Sequence, residues 1–255
     1  MRIVVANVNT TEAVTEAIRQ QAVKVASDTT EIIAVTPDFG AGSVEGNFES
    51  YLAAVAVMDR VSRLEEPFDA VVLAGFGEHG KEGLAELFDV PVVDITEAAA
   101  HTACLIGRRY AVVTSLRRTL GQIHDRLQLT GLTGRCAALR AAEIPVLELE
   151  ADEDRAATRI VEEARLAVED DGADVILLGC AGMAGLAERV EEEVGVPVVD
   201  GVAAAVSLAE ALVNQNLSTS KRAYPTPQPR RRSRDPVADP ADVGELADDF
   251  LGGAG

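Results

Sequence analysis

The stretch AVVLAGFGEHG at residues 70–80 and its counterpart VILLGCAGMAG at residues 175–185 decide the fold. Each runs from a continuous apolar strand into a glycine-containing turn, and a helical pattern follows. The similarity extends further along the chain, because both copies contain the tetrapeptide PVVD, at 91–94 and at 197–200. Continuous apolar strands are typical of parallel sheets that helices cover on both faces. The repeat therefore predicts two similar α/β halves.

Eight apolar runs rich in β-branched residues alternate with helical patterns along the chain. They are RIVVAN (2–7), TEIIAVT (30–36), DAVVLA (69–74), VPVVDI (90–95), YAVVTS (110–115), AEIPVLEL (142–149), DVILLG (174–179) and VPVVDG (196–201). We predict an α/β protein of two pseudo-symmetric parallel-sheet lobes, at 1–100 and 101–205, with helix 203–213 returning to the first lobe. The carboxyl ends of the strands are expected to face a cleft between the lobes, which is where α/β sheets bind ligands.

The character of the sequence changes after residue 214. Residues 214–255 are rich in Pro, Arg, Ser and acidic residues, and this composition predicts a disordered tail. The RRRSR run at 230–234 is interpreted as solvated charge rather than as a nucleic-acid contact.

The chain of 255 residues is strongly acidic, with a net charge of −19 and only three lysines. This charge argues against a nucleic-acid partner, because phosphates would be repelled. We interpret the acid excess as adaptation to a high-salt cytoplasm. No membrane partner is expected, since no apolar run is long enough to span a bilayer. The start of the chain resembles a strand rather than a signal peptide, so a cytoplasmic location is predicted.

Neither the cysteines nor the histidines form a metal-binding pattern. Cys104, Cys136 and Cys180 are odd in number and widely spaced, which also argues against a disulfide framework. His79, His101 and His124 form no closely spaced pair. We expect no metal.

GFGEHG at 75–80 fits the G-x-G-x-x-G pattern of dinucleotide-binding proteins. Three features weaken that interpretation: Glu78 would repel a pyrophosphate, the pattern follows the third strand rather than the first, and the twin turn lacks the spacing. Asp94 lies where a ribose-binding acid belongs, but Asp200 has the same place in the twin. The turn is therefore interpreted as part of the repeated unit.

Cys180 is the stronger chemical signal in the two turns. The ungapped alignment of the repeats places it opposite Gly75. A thiol at the beginning of a helix faces the positive end of the helix dipole, so we expect the pKa of Cys180 to be lowered. Gly179, Ala181 and Gly182 keep the backbone open for an oxyanion. Cys104 and Cys136 are expected to be packing residues.

Taken together, six motifs make the chain resemble the aspartate/glutamate/hydantoin racemase superfamily, particularly the hydantoin and allantoin racemases. The motifs are NVNTT (7–11), VTPDFGAGSVEG (35–46), AGFGEHG (74–80), VVTSLRRT (112–119), LGCAGMAGLA (178–187) and GVPVVDGVAAAV (195–206). The resemblance implies a cofactor-free racemase, commonly a homo-oligomer, whose active site lies between two lobes. It also implies two cysteines that transfer protons on opposite faces of a planar enolate.

One of the two expected cysteines is missing. The family's second cysteine corresponds to Cys180, and its first corresponds to Gly75. His79, where the family more often has proline, is a candidate for the vacant face, because an imidazole pKa near 6.5 suits proton transfer. Glu78 is a weaker candidate. A single cysteine opposite a glycine also resembles the arylmalonate decarboxylases, in which Gly75 would leave room beside an oxyanion site.

The other predicted substrate contacts come from the ends of strands and from neighbouring loops. They are Asn7, Asn9, Ser43, Phe76 (or Phe39), Thr114 and Ser115, together with Gly75, Ala181 and Gly182. We predict a cofactor-independent racemase of a small cyclic ureide, such as a 5-substituted hydantoin or allantoin. The alternatives are an arylmalonate-type decarboxylase and a non-catalytic ligand-binding protein.

Overall fold

A computed structural model describes residues 1–151, 153–183 and 185–228. Within this part of the chain, no helix has the length and apolar character needed to cross a membrane. Most of the predicted tail, 229–255, lies outside the described residues.

The first lobe is a four-stranded parallel sheet with helices on both faces. Its strands are β1 (Arg2–Asn7), β2 (Glu31–Val35), β3 (Ala70–Ala74) and β4 (Val92–Asp94), in the spatial order β2-β1-β3-β4. Its helices are α1 (Glu12–Val25), α2 (Asn47–Ser62), α3 (Lys81–Leu87) and α4 (Ile95–Ile106). β3 is buried along its whole length, as its unbroken run of apolar residues predicts.

The second lobe repeats this plan. Its strands are β5 (Tyr110–Thr114), β6 (Cys136–Ala141), β7 (Val175–Leu178) and β8 (Val198–Asp200), in the order β6-β5-β7-β8. Its helices are α5 (Leu120–Leu129), α6 (Glu148–Ala151), α7 (Glu153–Glu169), α8 (Ala187–Val194) and α9 (Gly201–Asn214). Both sheets are parallel and have the same strand order, so the predicted α/β fold with two pseudo-symmetric lobes is confirmed.

One predicted strand was wrong. Residues 142–147 of AEIPVLEL alternate between buried and more exposed positions, which imitates the period of a strand. In the structure this segment is a loop that runs into α6, and β6 precedes it at Cys136–Ala141. Glu143 has φ near +56°, outside the strand region, and Pro145 lacks an N–H for a sheet ladder.

Two alanine-rich helices join the lobes. α4 packs against strands of both sheets, and α9 returns to pack against β3, α1 and α4. Their facing sides carry Ala99, Ala103, Ala205 and Ala209, all fully or almost fully buried. Because such small side chains allow helices to approach closely, one continuous core extends through both lobes and fixes the cleft between them.

The segment after α9 packs on the first lobe. Thr219 Oγ1 donates to the Val90 carbonyl at 2.7 Å, and Lys221 Nζ donates to the carbonyls of Ala85, Glu86 and Phe88. Lys221 thus satisfies carbonyls at the C-terminal end of α3, where a cation is also favoured by the helix dipole. The predicted disorder was wrong for this stretch, because a composition signal does not register single anchoring contacts.

Candidate active site between the lobes

A small cavity lies where the carboxyl ends of the strands of both lobes meet. Its wall contains the predicted residues Asn7, Asn9, Gly75, Phe76, His79, Thr114, Ser115, Cys180, Ala181 and Gly182. It also contains Gly179, which the sequence indicated as part of the open backbone around the cysteine. The lining residues that the sequence did not indicate are Val8, Val14, Val44, Ala74, Thr119, Gln122 and Val146. The cleft expected between the two lobes therefore brings all but one of the predicted site residues together.

Ser43 is the exception. Its hydroxyl donates to Glu45 Oε1 at 3.1 Å, and the same oxygen accepts a hydrogen bond from the Val146 N–H. The neighbouring Val44 reaches the cavity wall instead, whereas Phe39, the alternative to Phe76, does not. Loop residues have no fixed period, so the sequence could not tell which member of 43–45 points inward.

The polar residues after β1 build a turn. Asn7 Nδ2 donates to Asn9 Oδ1 at 3.0 Å and to Thr15 Oγ1 at 2.9 Å, and Asn9 Oδ1 also accepts from the Thr11 N–H. The Asn7 amide is thus largely used inside the protein. The turn holds the Asn9 side chain at the cavity, as an Asx turn does elsewhere.

The matching residues after β5 support Cys180. Thr114 Oγ1 donates to the Gly179 carbonyl at 2.8 Å, which ties the end of β5 to the turn of the cysteine. A Cβ at Gly179 would lie 2.6 Å from Val112 Cγ1, so only glycine fits there. The Ser115 hydroxyl hydrogen-bonds to the Cys180 thiol. Strand, glycine and hydroxyl together hold the sulfur at the cavity.

The expected lowering of the Cys180 pKa was wrong. Burial raises the pKa of this thiol to about 11, although hydrogen bonds from the N–H groups of Gly182 and Met183 and from the Ser115 hydroxyl oppose the rise. The residues after Cys180 form a short 3₁₀ turn, and α8 begins only at Ala187. A full helix dipole is therefore absent at the sulfur, and desolvation is the larger effect. The raised pKa favours the protonated thiol of Cys180 at neutral pH.

Gly75 lies opposite, and the space beside it is filled by His79. A Cβ at Gly75 would lie 2.3 Å from His79 Cδ2 and 2.6 Å from Val8 Cγ1. The imidazole thus occupies the volume that a side chain at position 75 would need. Glycine at 75 and histidine at 79 are therefore coupled, and the glycine does not leave open room at this face.

His79 is held as a neutral ring. Its Nδ1 lies 3.0 Å from Ser50 Oγ, and that hydroxyl donates to the Glu78 carbonyl. Because the hydroxyl proton is used there, Nδ1–H donates to Ser50 and Nε2 keeps its lone pair. Burial lowers the pKa of His79 to about 4, with partial compensation from the Phe76 carbonyl and Asp94. The ring is a weak base in this site.

The Glu78 side chain points toward the buried Arg126. Its Oε1 accepts from the Gly80 N–H at 2.8 Å, and its Oε2 accepts from Arg126 Nη1 at 2.9 Å. Burial raises the pKa of Glu78, and nearby Glu82 and Asp94 add to the rise, against the Gly80 N–H and Arg126. The carboxylate is thus more basic than an ordinary glutamate.

Arg126 joins the lobes electrostatically and was not indicated by the sequence. It lies on α5 of the second lobe, is almost fully buried, and pairs with carboxylates of the first lobe. Its partners are Asp94 at 2.7 Å, Glu82 at 2.6 Å, Glu78 at 2.9 Å and Glu97 at 3.6 Å. The loop that carries Glu78 and His79 is therefore anchored to the opposite lobe.

The repeated aspartates are helix caps. Asp94 Oδ1 accepts from the Glu97 N–H, and Asp200 Oδ1 accepts from the Ala203 N–H, each at 2.9 Å. Both residues begin a helix, α4 in one lobe and α9 in the other. This role explains why both copies have the residue, and it accounts for Asp94 without a ribose. Among the described residues no cluster of His, Cys, Asp or Glu could hold a metal ion.

Adding a side chain at Gly75 should destabilise the fold. Because the new Cβ would overlap the His79 ring and Val8, we expect Gly75→Ala to lower the free energy of unfolding by about 1–3 kcal/mol, measured by urea denaturation. Gly121→Ala is the matched control, since nothing lies within 4 Å of a Cβ there. In Gly75→Ala/His79→Ala part of the loss should return. Equal stability of Gly75→Ala and wild type would contradict the overlap.

Comparisons with known proteins agree with this architecture. A family model described as Asp/Glu/hydantoin racemase matches residues 3–209. A solved structure of allantoin racemase from Pseudomonas fluorescens is 61% identical, covers 91% of this chain and all of its own, and superposes with a TM-score of 0.90. The allantoin racemase from Klebsiella pneumoniae is 42% identical, with coverages of 91% and 96% and a TM-score of 0.87.

The chain is also similar to a protein named hydantoin racemase. The hydantoin racemase of Paenarthrobacter aurescens is 38% identical over 223 residues, which are 87% of this chain and 94% of that protein. The matches span both lobes and the cavity between them. The chain belongs to the Asp/Glu/hydantoin racemase family.

Proposed function

We propose that this protein is a cofactor-independent racemase of a small cyclic ureide, allantoin or a 5-substituted hydantoin. The observation that carries the proposal is Cys180, held by Ser115 and the Gly179 turn at a cavity between two lobes with the same strand order. The 61% identity to a protein named allantoin racemase favours allantoin within this class.

The chemistry of a cyclic ureide suits this cavity. The C–H to be exchanged lies next to a carbonyl and loses its proton far more readily than that of a free amino acid. Its planar enolate can be reprotonated from either face, so one proton carrier on each side is sufficient. Hydroxyl and backbone N–H groups around Cys180 can stabilise the charge that develops on the carbonyl oxygen.

Cys180 is assigned to one face of the substrate. Burial raises the pKa of its thiol to about 11, so Cys180 begins as a proton donor. When the substrate loses its proton from the opposite face, the Cys180 thiol donates a proton to the near face. In the reverse direction it must act as the thiolate. The hydrogen bonds from Ser115, Gly182 and Met183 support that charged form.

The opposite face is assigned to the loop 75–80 of the first lobe, where two residues have complementary properties. His79 lines the cavity in the space beside Gly75, but burial disfavours its protonated form. Glu78 is a carboxylate with a raised pKa, and it is one residue away on the same loop. As the base of this face, His79 has the better position because it lines the cavity. Glu78 is the more basic of the two because its pKa is raised, whereas that of His79 is lowered.

Two single variants separate these residues. One enantiomer of allantoin is incubated in D₂O, with optical activity and deuterium at C5 followed together. We expect the variant that removes the first-lobe base, either Glu78→Gln or His79→Gln, to lose racemisation by about 10²–10⁴-fold. The other variant should stay within about tenfold of wild type. If both variants racemise at the wild-type rate, the base does not belong to this loop.

The alternatives give different results in the same assays. Arylmalonate decarboxylation would appear as carbon dioxide release, but the room that Gly75 was expected to provide is occupied by His79. Exchange of deuterium without inversion would show a single working face and would overturn a two-base racemase. Binding of a ureide with neither exchange nor inversion would identify a non-catalytic protein.

A further inference from the structure

Gln122 lines the cavity and has an amide oxygen that is buried without a hydrogen-bond partner among the described residues. It lies in the first turn of α5 and is more than nine-tenths buried. Its side chain forms part of the cavity wall. Its Oε1 atom is buried and has no hydrogen-bond partner among the described residues. Buried polar atoms are nearly always paired, so an unpaired one at a cavity points to a ligand.

The position of Gln122 relative to the proton carriers is also specific. A Cβ at Gly77 would lie 3.4 Å from Gln122 Cγ and 3.5 Å from His79 Nε2, so the amide reaches the loop of the first lobe. Gln122 belongs to the second lobe, which also holds Cys180. A substrate lying between Cys180 and this loop would thus be next to the Gln122 amide.

Packing does not explain the glutamine. Ile123 and Leu127 of the same helix are fully buried in the apolar core, and Arg126 is paired with carboxylates. An apolar side chain of similar length at position 122 would fill the same volume without burying an unpaired oxygen. Burying this oxygen without a partner costs free energy, and a ligand that donates a hydrogen bond to it would remove that cost.

We propose that Gln122 Oε1 accepts a hydrogen bond from a ring N–H of the ureide, and that this bond helps the enzyme to select ureides. This inference rests on the proposed function and extends it to a residue that recognises the substrate. A ureide has N–H donors on both sides of its urea carbonyl, so a buried amide oxygen is complementary to it. A ring that lacks the donor would leave the oxygen unpaired and would bind less well.

Binding of hydantoin, 1-methylhydantoin and 3-methylhydantoin tests the proposal without turnover, because unsubstituted hydantoin has no stereocentre. The dissociation constants are measured by calorimetry for wild type, Gln122→Met and Gln128→Met. Gln128 is an exposed glutamine of the same helix and serves as the matched control. Methionine keeps the length of the side chain but removes the acceptor, so we expect hydantoin to bind Gln122→Met about tenfold more weakly.

The methyl analogues identify the bond itself. In wild type, one of them should bind about tenfold more weakly than hydantoin, because its N–H is replaced. In Gln122→Met that preference should shrink to within about twofold, since no acceptor remains to be lost. For allantoin, the KM should rise about tenfold with kcat within threefold, because the contact is made in ground state and transition state alike.

Three outcomes would overturn this role. Equal hydantoin binding by wild type and Gln122→Met would show that the oxygen makes no contact with the ligand. An unchanged preference for the N–H ring in Gln122→Met would place that preference elsewhere. A lowered melting temperature of Gln122→Met would show a structural role, whereas we expect the melting temperature to be unchanged or raised. Failure of wild type to bind or racemise any ureide would instead overturn the proposed function, and this role with it.

Discussion

Cys180→Ser should lower kcat for racemisation by about 10²–10⁴-fold while the protein stays folded. The hydroxyl keeps nearly the same shape and can keep the hydrogen bond with Ser115. It cannot replace the thiol, because a serine hydroxyl ionises far less readily than a thiol. The burial that raises the pKa of Cys180 would also raise the pKa of the serine hydroxyl. The loss should therefore appear in kcat rather than in KM.

The measurement is the decay of optical activity of one allantoin enantiomer, corrected for the buffer blank. Cys104→Ser is the control, since Cys104 is a partly buried residue of α4 that packs against the core and does not line the cavity. Its kcat should stay within about twofold of wild type. A Cys180→Ser enzyme that racemises at the wild-type rate would remove the thiol from the mechanism.

Cys180 shows what the repeat can and cannot predict. Aligning the two halves located the cysteine at a strand-to-helix turn, because register and strand ends follow from the apolar pattern. The direction of its pKa shift depended on burial and on the length of the following turn. Both are tertiary properties, and both differed from expectation.

The opposite lobe gives the same lesson. The alignment of the repeats indicated Gly75, and the family resemblance indicated His79 in the same loop, but the overlap between them is visible only in space. Gln122 and Arg126 carried no signal at all, since a polar residue on an amphipathic helix is expected to face solvent. Here both are buried where the two lobes meet: Arg126 pairs with carboxylates of the first lobe, and Gln122 lines the cavity between the lobes.

Arg126→Met should have the largest effect on stability. The substitution leaves the buried Asp94 carboxylate without its cation, and breaking a buried pair from one side costs about 3–5 kcal/mol. Glu78 and Glu82 are part-exposed and contribute less, because solvent screens them. Urea denaturation should show this loss. Arg117→Met is the control, since Arg117 is an exposed partner of Glu143 and should change stability by less than about 1 kcal/mol.

A second substitution shows whether the unpaired charge is the cause. Asp94→Asn removes the carboxylate charge but keeps an oxygen for the cap of α4, which Asp94 Oδ1 forms with the Glu97 N–H. If the buried charge accounts for the loss, Arg126→Met/Asp94→Asn should be more stable than Arg126→Met alone, with a coupling energy of about 1–3 kcal/mol. If the two losses simply add, Arg126 stabilises the fold by packing its side chain between the lobes. The ion pair would then have only a minor effect on how the loop of Glu78 and His79 is held against the second lobe.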